Sequence, residues 1–187
     1  MRIIAGKHRG RRLQVPRGAK LRPTADRVRE AVFNILGHHP DVPDLDDAVV
    51  LDVFAGTGAY GLEALSRDAA LTVFVDRDPA ALKGIRSNAA ALNEEQHAVL
   101  LRLDATRLAI PPTAARAPAT FAFLDPPYGL GLAVPALEGL RSGGWIEPGA
   151  VCVVEVAARE ALAPPSGYTL LDERTYGAAR VAFLRAD

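Results

Sequence analysis

"AVVLDVFAGTGAYGLEALSRD", residues 48–68, decides the fold. A short apolar strand holding one carboxylate, Asp52, runs straight into Gly56, Gly58 and Gly61, and then into a helical segment. Strand, glycine turn and helix open a βαβ unit, and the chain repeats the pattern downstream. "LTVFVD" (71–76) reads as a strand, "PAALKGIRSNAAALN" (79–93) as a helix and "HAVLLRLDA" (97–105) as a third strand. "TFAFLD" (120–125) is a fourth strand, "GLAVPALEGLRSGGW" (131–145) a short helix started or interrupted at Pro135, and "GAVCVVEVA" (149–157) a fifth strand. The tail "YTLLDERTYGAARVAFLRA" (168–186) reads as a hairpin turning near Gly177. Alternating strands and helices predict a mainly parallel α/β sheet covered on both faces, with the final hairpin adding an antiparallel edge.

Upstream of the first strand, "TADRVREAVFNILG" (24–37) predicts a helix. Thr24 suits the N-cap, Val28, Ala31, Val32, Ile35 and Leu36 share one face, and Gly37 closes the end. Before it, "RIIAGKHRGRRLQV" (2–15) reads as two short strands around a glycine-containing turn, a basic hairpin.

With 187 residues, 49% hydrophobic and 24% charged, the composition is that of an ordinary globular domain. The one cysteine, Cys152, excludes an internal disulfide framework and a cysteine-rich zinc site. Its apolar setting predicts an inert buried thiol and a reducing compartment. No apolar stretch is long enough to span a membrane, and the basic N-terminus lacks the apolar segment of a secretion signal, so a cytoplasmic protein is expected. The formal net charge of zero hides an asymmetry: residues 1–30 carry +8 and the remainder −8. A basic arm on an acidic body suits a polyanionic partner, and its candidates for phosphate contacts are Arg2, Lys7, Arg9, Arg11, Arg12, Arg17, Lys20 and Arg22.

In a doubly wound sheet, ligands bind at the C-terminal ends of the strands. Four successive strands end in Asp52, Asp76, Asp104 and Asp125. Gly56, Gly58 and Gly61 spell G-x-G-x-x-G, which alone serves either a dinucleotide or an S-adenosylmethionine site. A carboxylate beside the loop repels a pyrophosphate but suits the cationic ammonium of a methionine. Asp76, 24 residues after Asp52, can accept both hydroxyls of a ribose in either class, and Asp78 is the better helix cap, which leaves Asp76 free. Asp104 can accept from an adenine amino group. No histidine joins the four carboxylates and their spacing follows the strand ends, so no metal is expected.

The fourth strand runs into "DPPY", residues 125–128. An exocyclic amino group on a base is a poor nucleophile because its lone pair is delocalised into the ring. The Asp125 carboxylate and the Pro126 carbonyl form an acceptor pair that can take its two hydrogens and aim the lone pair. Pro126 and Pro127 restrict φ, and Tyr128 can stack on a base that has left its helix. The rival with the same glycines, a nicotinamide-dependent oxidoreductase, needs an acid or base for hydride transfer. None of His8, His38, His39 and His97 stands at a strand end. A catalytically silent RNA-binding assembly factor would have no use for an intact "DPPY".

"DVFAGTGAYG" together with "DPPY" resembles the Rossmann-like class I methyltransferases that modify amino groups. "RIIAGKHRGRRLQVP", "LRPTADRVREAVFNIL", "LDVFAGTGAYGLEALSR" and "FLDPPYG" resemble, in that order, the RsmD family of 16S rRNA guanine-N2 methyltransferases. The resemblance covers essentially the whole chain. It implies a seven-stranded sheet with a reversed final hairpin, S-adenosyl-L-methionine as donor, and a guanine of 16S rRNA within an assembling small subunit as acceptor. It implies donor-site roles for Asp52, Phe54, Ala55, Gly56, Thr57 and Gly58, for Asp76 with Arg77, and for Asp104 with Ala105. The turn and helix start from Arg22 to Arg27, including Thr24, would border the donor, and Asp125, Pro126, Pro127 and Tyr128 take the catalytic role. Asp76 stands where many relatives carry glutamate, and Tyr60 replaces a usual aliphatic residue. The expected organisation is a basic RNA-binding extension, residues 1–21, on a methyltransferase domain, residues 22–187, acting as a monomer. An adenine-N6 methyltransferase is the alternative, because "DPPY" serves both bases.

Overall fold

In the computed structural model, which describes residues 1–15 and 25–187, the strands are Val49–Val53 (β1), Leu71–Asp76 (β2), Ala98–Arg102 (β3), Ala119–Leu124 (β4), Ile146–Ala157 (β5), Tyr168–Tyr176 (β6) and Ala179–Ala186 (β7). The helices are Ala25–Leu36 (α1), Ala59–Ser66 (α2), Pro79–Leu92 (α3) and Ala133–Ser142 (α4). One seven-stranded sheet runs in the order β3-β2-β1-β4-β5-β7-β6. β1 to β5 are parallel, and β7 is antiparallel to both β5 and β6. The strand order reverses between β1 and β4, which opens a crevice where their C-terminal ends part.

Successive side chains on a strand face opposite sides, and the sequence fills both sides with apolar residues. Val50, Phe121, Phe123, Val151 and Val153 pack against Val28, Val32, Phe33 and Leu36 of α1. Leu51, Val53, Leu124, Cys152 and Val154 pack on the other side against Leu137 and Leu140 of α4. Cys152 is fully buried and its thiol is pushed up to about 12 by that burial, which makes it inert.

The helix boundaries follow local chemistry. Asp78 caps α3 by accepting from the Ala80 N–H at 2.8 Å, with Pro79 in the first turn. Pro135 starts rather than interrupts α4, since it lies in the first turn where an N–H has no intrahelical acceptor. β5 begins three residues earlier than the periodicity predicts, because a register shift after Ala119 lets Ile146 pair with it.

The expected basic hairpin is reduced to a single antiparallel bridge between Arg2 and Arg12. Around it, Ile3 N–H donates to the Arg11 carbonyl and Gly10 N–H to the Ile3 carbonyl, both at 2.9 Å, while other donors of the segment go to the body of the protein. Ile4 and Ala5 N–H groups donate to the buried Glu63 carboxylate at 2.7 and 3.0 Å, and Lys7 N–H donates to the Ser66 carbonyl at 2.8 Å. The Asn88 side chain bonds both backbone groups of Gln14. Gly6, at φ +77°, is required by this contact: a Cβ there would lie 1.7 Å from the Ser66 carbonyl oxygen. Ile3 and Leu13 are buried with Leu62, Leu65 and Ile85, so the segment shares the core of α2 and α3.

The predicted cap Thr24, the candidate phosphate contacts Arg17, Lys20 and Arg22, and the expected boundary at residue 21 lie outside the described residues. Among the described residues, no helix is long and apolar enough to cross a membrane.

Candidate active site

A cleft of about 800 Å³ lies over the C-terminal ends of β1 to β4. The three glycines of the β1–α2 turn divide between packing and lining. Gly58 starts α2 at φ 72°, and a Cβ there would lie 2.8 Å from Ile85. At Gly61 a Cβ would lie 2.3 Å from the Phe74 ring, so both glycines let α2 press against β2 and α3. Gly56, at φ 52°, faces the cleft, as do Phe54, Ala55 and Thr57. Gly58 and the exposed Arg27 do not line it.

Asp52 lies at the cleft floor, buried, and accepts the Gly61 N–H at 2.8 Å. Burial raises its carboxyl to about 8; the Gly61 hydrogen bond opposes the rise, Asp125 and Asp76 add to it, and Arg29 counters. Near neutral pH this carboxyl holds its proton unless a cation arrives. The donor set therefore fits a ligand bearing an ammonium group.

Asp76 takes the Gly56 N–H at 2.8 Å on one oxygen and the Asp78 N–H at 2.8 Å on the other. Asp78 does cap α3, but Asp76 is not left free as the sequence suggested; it also ties down the glycine turn. Each of its oxygens retains a lone pair that can accept a hydroxyl. Asp104 is exposed, and one of its oxygens accepts from both the Thr106 hydroxyl (2.7 Å) and the Thr106 N–H (2.9 Å). Those bonds, the hydroxyl's first, hold its carboxyl below the ordinary range. Ala105 and the part-exposed Leu103 give this end an apolar wall beside Arg77 and Arg107.

At the other end, Asp125 and Pro126 line the cleft one and two residues past β4, with Pro127 beside them. Tyr128 stands outside the lining, and its hydroxyl donates to Glu155 at 2.7 Å. Glu155, Tyr60, Arg29 and Met1 also line the cleft, and the sequence reading passed over all four as site residues. Glu155 was detectable, because it is the charge in the apolar run "VCVVEVA" at a strand end. Tyr60 packs its ring on Phe123 with centroids 5.0 Å apart. Burial first, then Glu155 and Asp125, raise the Tyr60 hydroxyl well above its ordinary range. Arg29, counted by sequence with the basic arm, is only 2% exposed and donates to the Arg2 carbonyl (2.6 Å) and Asp26 (3.1 Å).

The described basic side chains of the N-terminal segment differ in availability. Arg2, Arg9, Arg11 and Arg12 are exposed. Arg11 donates to the Ala91 carbonyl at 2.6 Å, and Lys7 pairs with Glu94 at 2.9 Å. Glu94 also meets His8 (2.6 Å) and His97 (2.7 Å). Burial pushes the Glu94 carboxyl upward, yet the bonds from His8, Lys7 and His97 hold it below its ordinary value. Among the described residues, no group of three or more His, Cys, Asp or Glu side chains is arranged to hold a metal.

The family model described as conserved hypothetical protein 95 matches residues 1–185. The chain is similar to ribosomal RNA small subunit methyltransferase D of Haemophilus influenzae, 37% identical over 179 residues, covering 95% of this chain and 89% of that one. It is 38% identical over 178 residues to the protein of the same name from Escherichia coli K12, covering 95% and 85%. Among solved structures it resembles a candidate methyltransferase, yhhF, from Escherichia coli, with a TM-score of 0.82, 34% identity, and coverage of 100% of this chain and 98% of that one.

Proposed function

We propose, since this chain belongs to the RsmD family, described as conserved hypothetical protein 95, that it transfers a methyl group from S-adenosyl-L-methionine to the exocyclic N2 amino group of a guanine in 16S rRNA. It does so as a cytoplasmic monomer acting on an assembling small ribosomal subunit. The observation that carries this reading is one cleft lined at one end by Asp52, Gly56 and Asp76 and at the other by Asp125 and Pro126.

Asp52 holds the donor's ammonium, and the Gly56 backbone lies along its methionyl part. Asp76 accepts the ribose hydroxyls, and Asp104 accepts the adenine amino group between Leu103 and Ala105. Thr57, Phe54, Ala55 and Arg77 complete the wall, while Gly58 acts through the turn that it shapes. When bound, S-adenosylmethionine supplies a methyl group on a sulfonium, an electrophile that the protein has no need to activate. The protein's task is to present the nucleophile. Asp125 and the Pro126 carbonyl accept the two amino hydrogens, which directs the nitrogen lone pair toward the donor. Pro126 and Pro127 keep that carbonyl aimed. Positioning and fixed dipoles supply the rate, and no strong base is required before attack.

Residues 1–21 grip RNA phosphates through Arg2, Arg9, Arg11 and Arg12, joined by Lys7, Arg17 and Lys20, with Arg22 adjoining them. Residues 22–187 carry the chemistry, with Thr24 and Arg27 as the family resemblance's candidates for bordering the donor. The test is labelling with methyl-tritiated cofactor on naked 16S rRNA and on small subunits, followed by nucleoside analysis. N2-methylguanosine is the expected product. N6-methyladenosine would transfer the reading to the adenine enzymes, and tight NAD binding without methyl transfer would sink it.

A further inference from the structure

Glu155 is a carboxylate buried to 7% exposure on β5, at the cleft wall. Parallel pairing of Leu124 with Val154 brings it to the register of Asp125, the residue just past the end of the neighbouring strand. One of its oxygens accepts the Tyr128 hydroxyl at 2.7 Å, and the other faces the Tyr60 hydroxyl at 3.4 Å. These two tyrosines differ in what holds them. Tyr60 is fixed in the core by its stack on Phe123, 15° from coplanar. Tyr128 belongs to the loop that leaves β4 and passes through Gly129 and Gly131, both with positive φ. The loop is tied again where the Gly129 N–H donates to Glu160 at 2.9 Å.

A third carboxylate beside Asp52 and Asp125 is costly, because like charges in a partly dry site repel and burial penalises each. A neutral side chain would serve better if filling space were the only role. We propose that Glu155 is a positioning residue for methyl transfer: it anchors the Tyr128 hydroxyl to the Tyr60-bearing core and so fixes the loop that carries the Asp125–Pro126 acceptor pair. This rests on the methyltransferase reading given above. Tyr128 then needs no reorganisation when RNA arrives, and the Asp125–Pro126 acceptor pair, three and two residues back along the chain, keeps its aim.

The test uses the full chain with small subunits as substrate. At saturating cofactor, Glu155→Ala should lower turnover by about a hundredfold, the scale for a small misplacement of reacting groups. Cofactor affinity should stay within about twofold, since the donor end of the cleft is untouched. Tyr128→Phe, which deletes only the hydroxyl, should lose a similar factor, and the double variant should be no worse than either single one. Glu155→Gln keeps an acceptor for the hydroxyl and should recover most of the loss. Fluorine NMR on fluorotyrosine-labelled protein reads the same contact without turnover. The Tyr128 line, assigned through Tyr128→Phe, should broaden or split in Glu155→Ala. An unchanged line, near wild-type turnover of Glu155→Ala, or losses that multiply in the double variant would overturn the proposal. Wild-type protein that transfers no methyl group would instead overturn the reading on which it rests, and with it this role for Glu155.

Discussion

Asp52 offers the sharpest check on how the cleft takes its donor. Its carboxyl, raised from 3.8 to about 8 mainly by burial, is about nine-tenths protonated at pH 7 in the free protein. A bound ammonium close by lowers such a group by roughly 1–3 pH units, so binding must expel most of one proton at pH 7. With a shift of about 2 units, worth about 2.7 kcal/mol, affinity for S-adenosylmethionine should rise about tenfold from pH 6 to pH 7.5. It should then level off as Asp52 ionises in the free protein and the ligand's own amine begins to lose its proton. Calorimetry at pH 7 in two buffers of different ionisation enthalpy counts the released protons directly. Asp52→Asn should bind more weakly and lose both the slope and the buffer dependence. Affinity that is flat across this range, with identical enthalpies in both buffers, would show that Asp52 does not meet the ammonium. The same linkage sets a stability trend. The unfolded chain gives up this proton near 3.8 and the folded one near 8, so folding stability from Asp52 declines as pH rises between them. The cofactor should therefore raise Tm most on the alkaline side.

Asp125→Ala should keep cofactor affinity and lose most turnover; near wild-type turnover under saturating conditions would refute the assignment of the acceptor pair. Charge reversal at Arg9, Arg11 and Arg12 should weaken rRNA binding and flatten the log–log salt dependence, each lost phosphate contact changing the slope by roughly 0.7–0.9. Cofactor affinity should hold, and an unchanged salt slope would mean that these side chains only meet water. The Glu94 clamp, held below the ordinary 4.5 by His8, Lys7 and His97 against its burial, is fully in force above that value and is lost as pH falls through the lowered one. The Tm advantage of wild type over Glu94→Gln should accordingly shrink on acidification below about pH 4.5, and a constant difference down to strongly acid pH would refute the clamp.

The strand ends were legible because their chemistry is local. A carboxylate one position beyond an apolar run marks the rim of a parallel sheet, whatever lies opposite it. Asp76 and Asp125 were readable in this way, as was the pair of prolines after Asp125. Asp52, by contrast, lies one residue inside the end of β1 and Asp104 two residues past β3, near enough to the strand ends to line the cleft. Glu155 obeys the same rule but sits two residues before the end of its strand, inside the apolar run that drew notice only for Cys152. Gly58 and Gly61 matched a ligand-binding pattern, yet their sites are closed by Ile85 and Phe74, residues that no short motif contains.

The amino-acid sequence by itself determined the alternating architecture, the antiparallel terminal hairpin and four of the cleft's carboxylates, since each follows from periodicity and turn chemistry within a few residues. Tertiary structure alone decided where the basic segment goes and what surrounds Asp125. Glu63, 58 residues along the chain from Ala5, accepts the Ile4 and Ala5 N–H groups and so ties the short basic hairpin to α2. Arg29 left the basic arm for the protein interior, and Tyr60 and Tyr128 met on Glu155. These outcomes turn on which buried polar group finds which partner. That choice is made by packing between distant segments, where leaving a donor or a charge unpaired costs more than any local preference can offset.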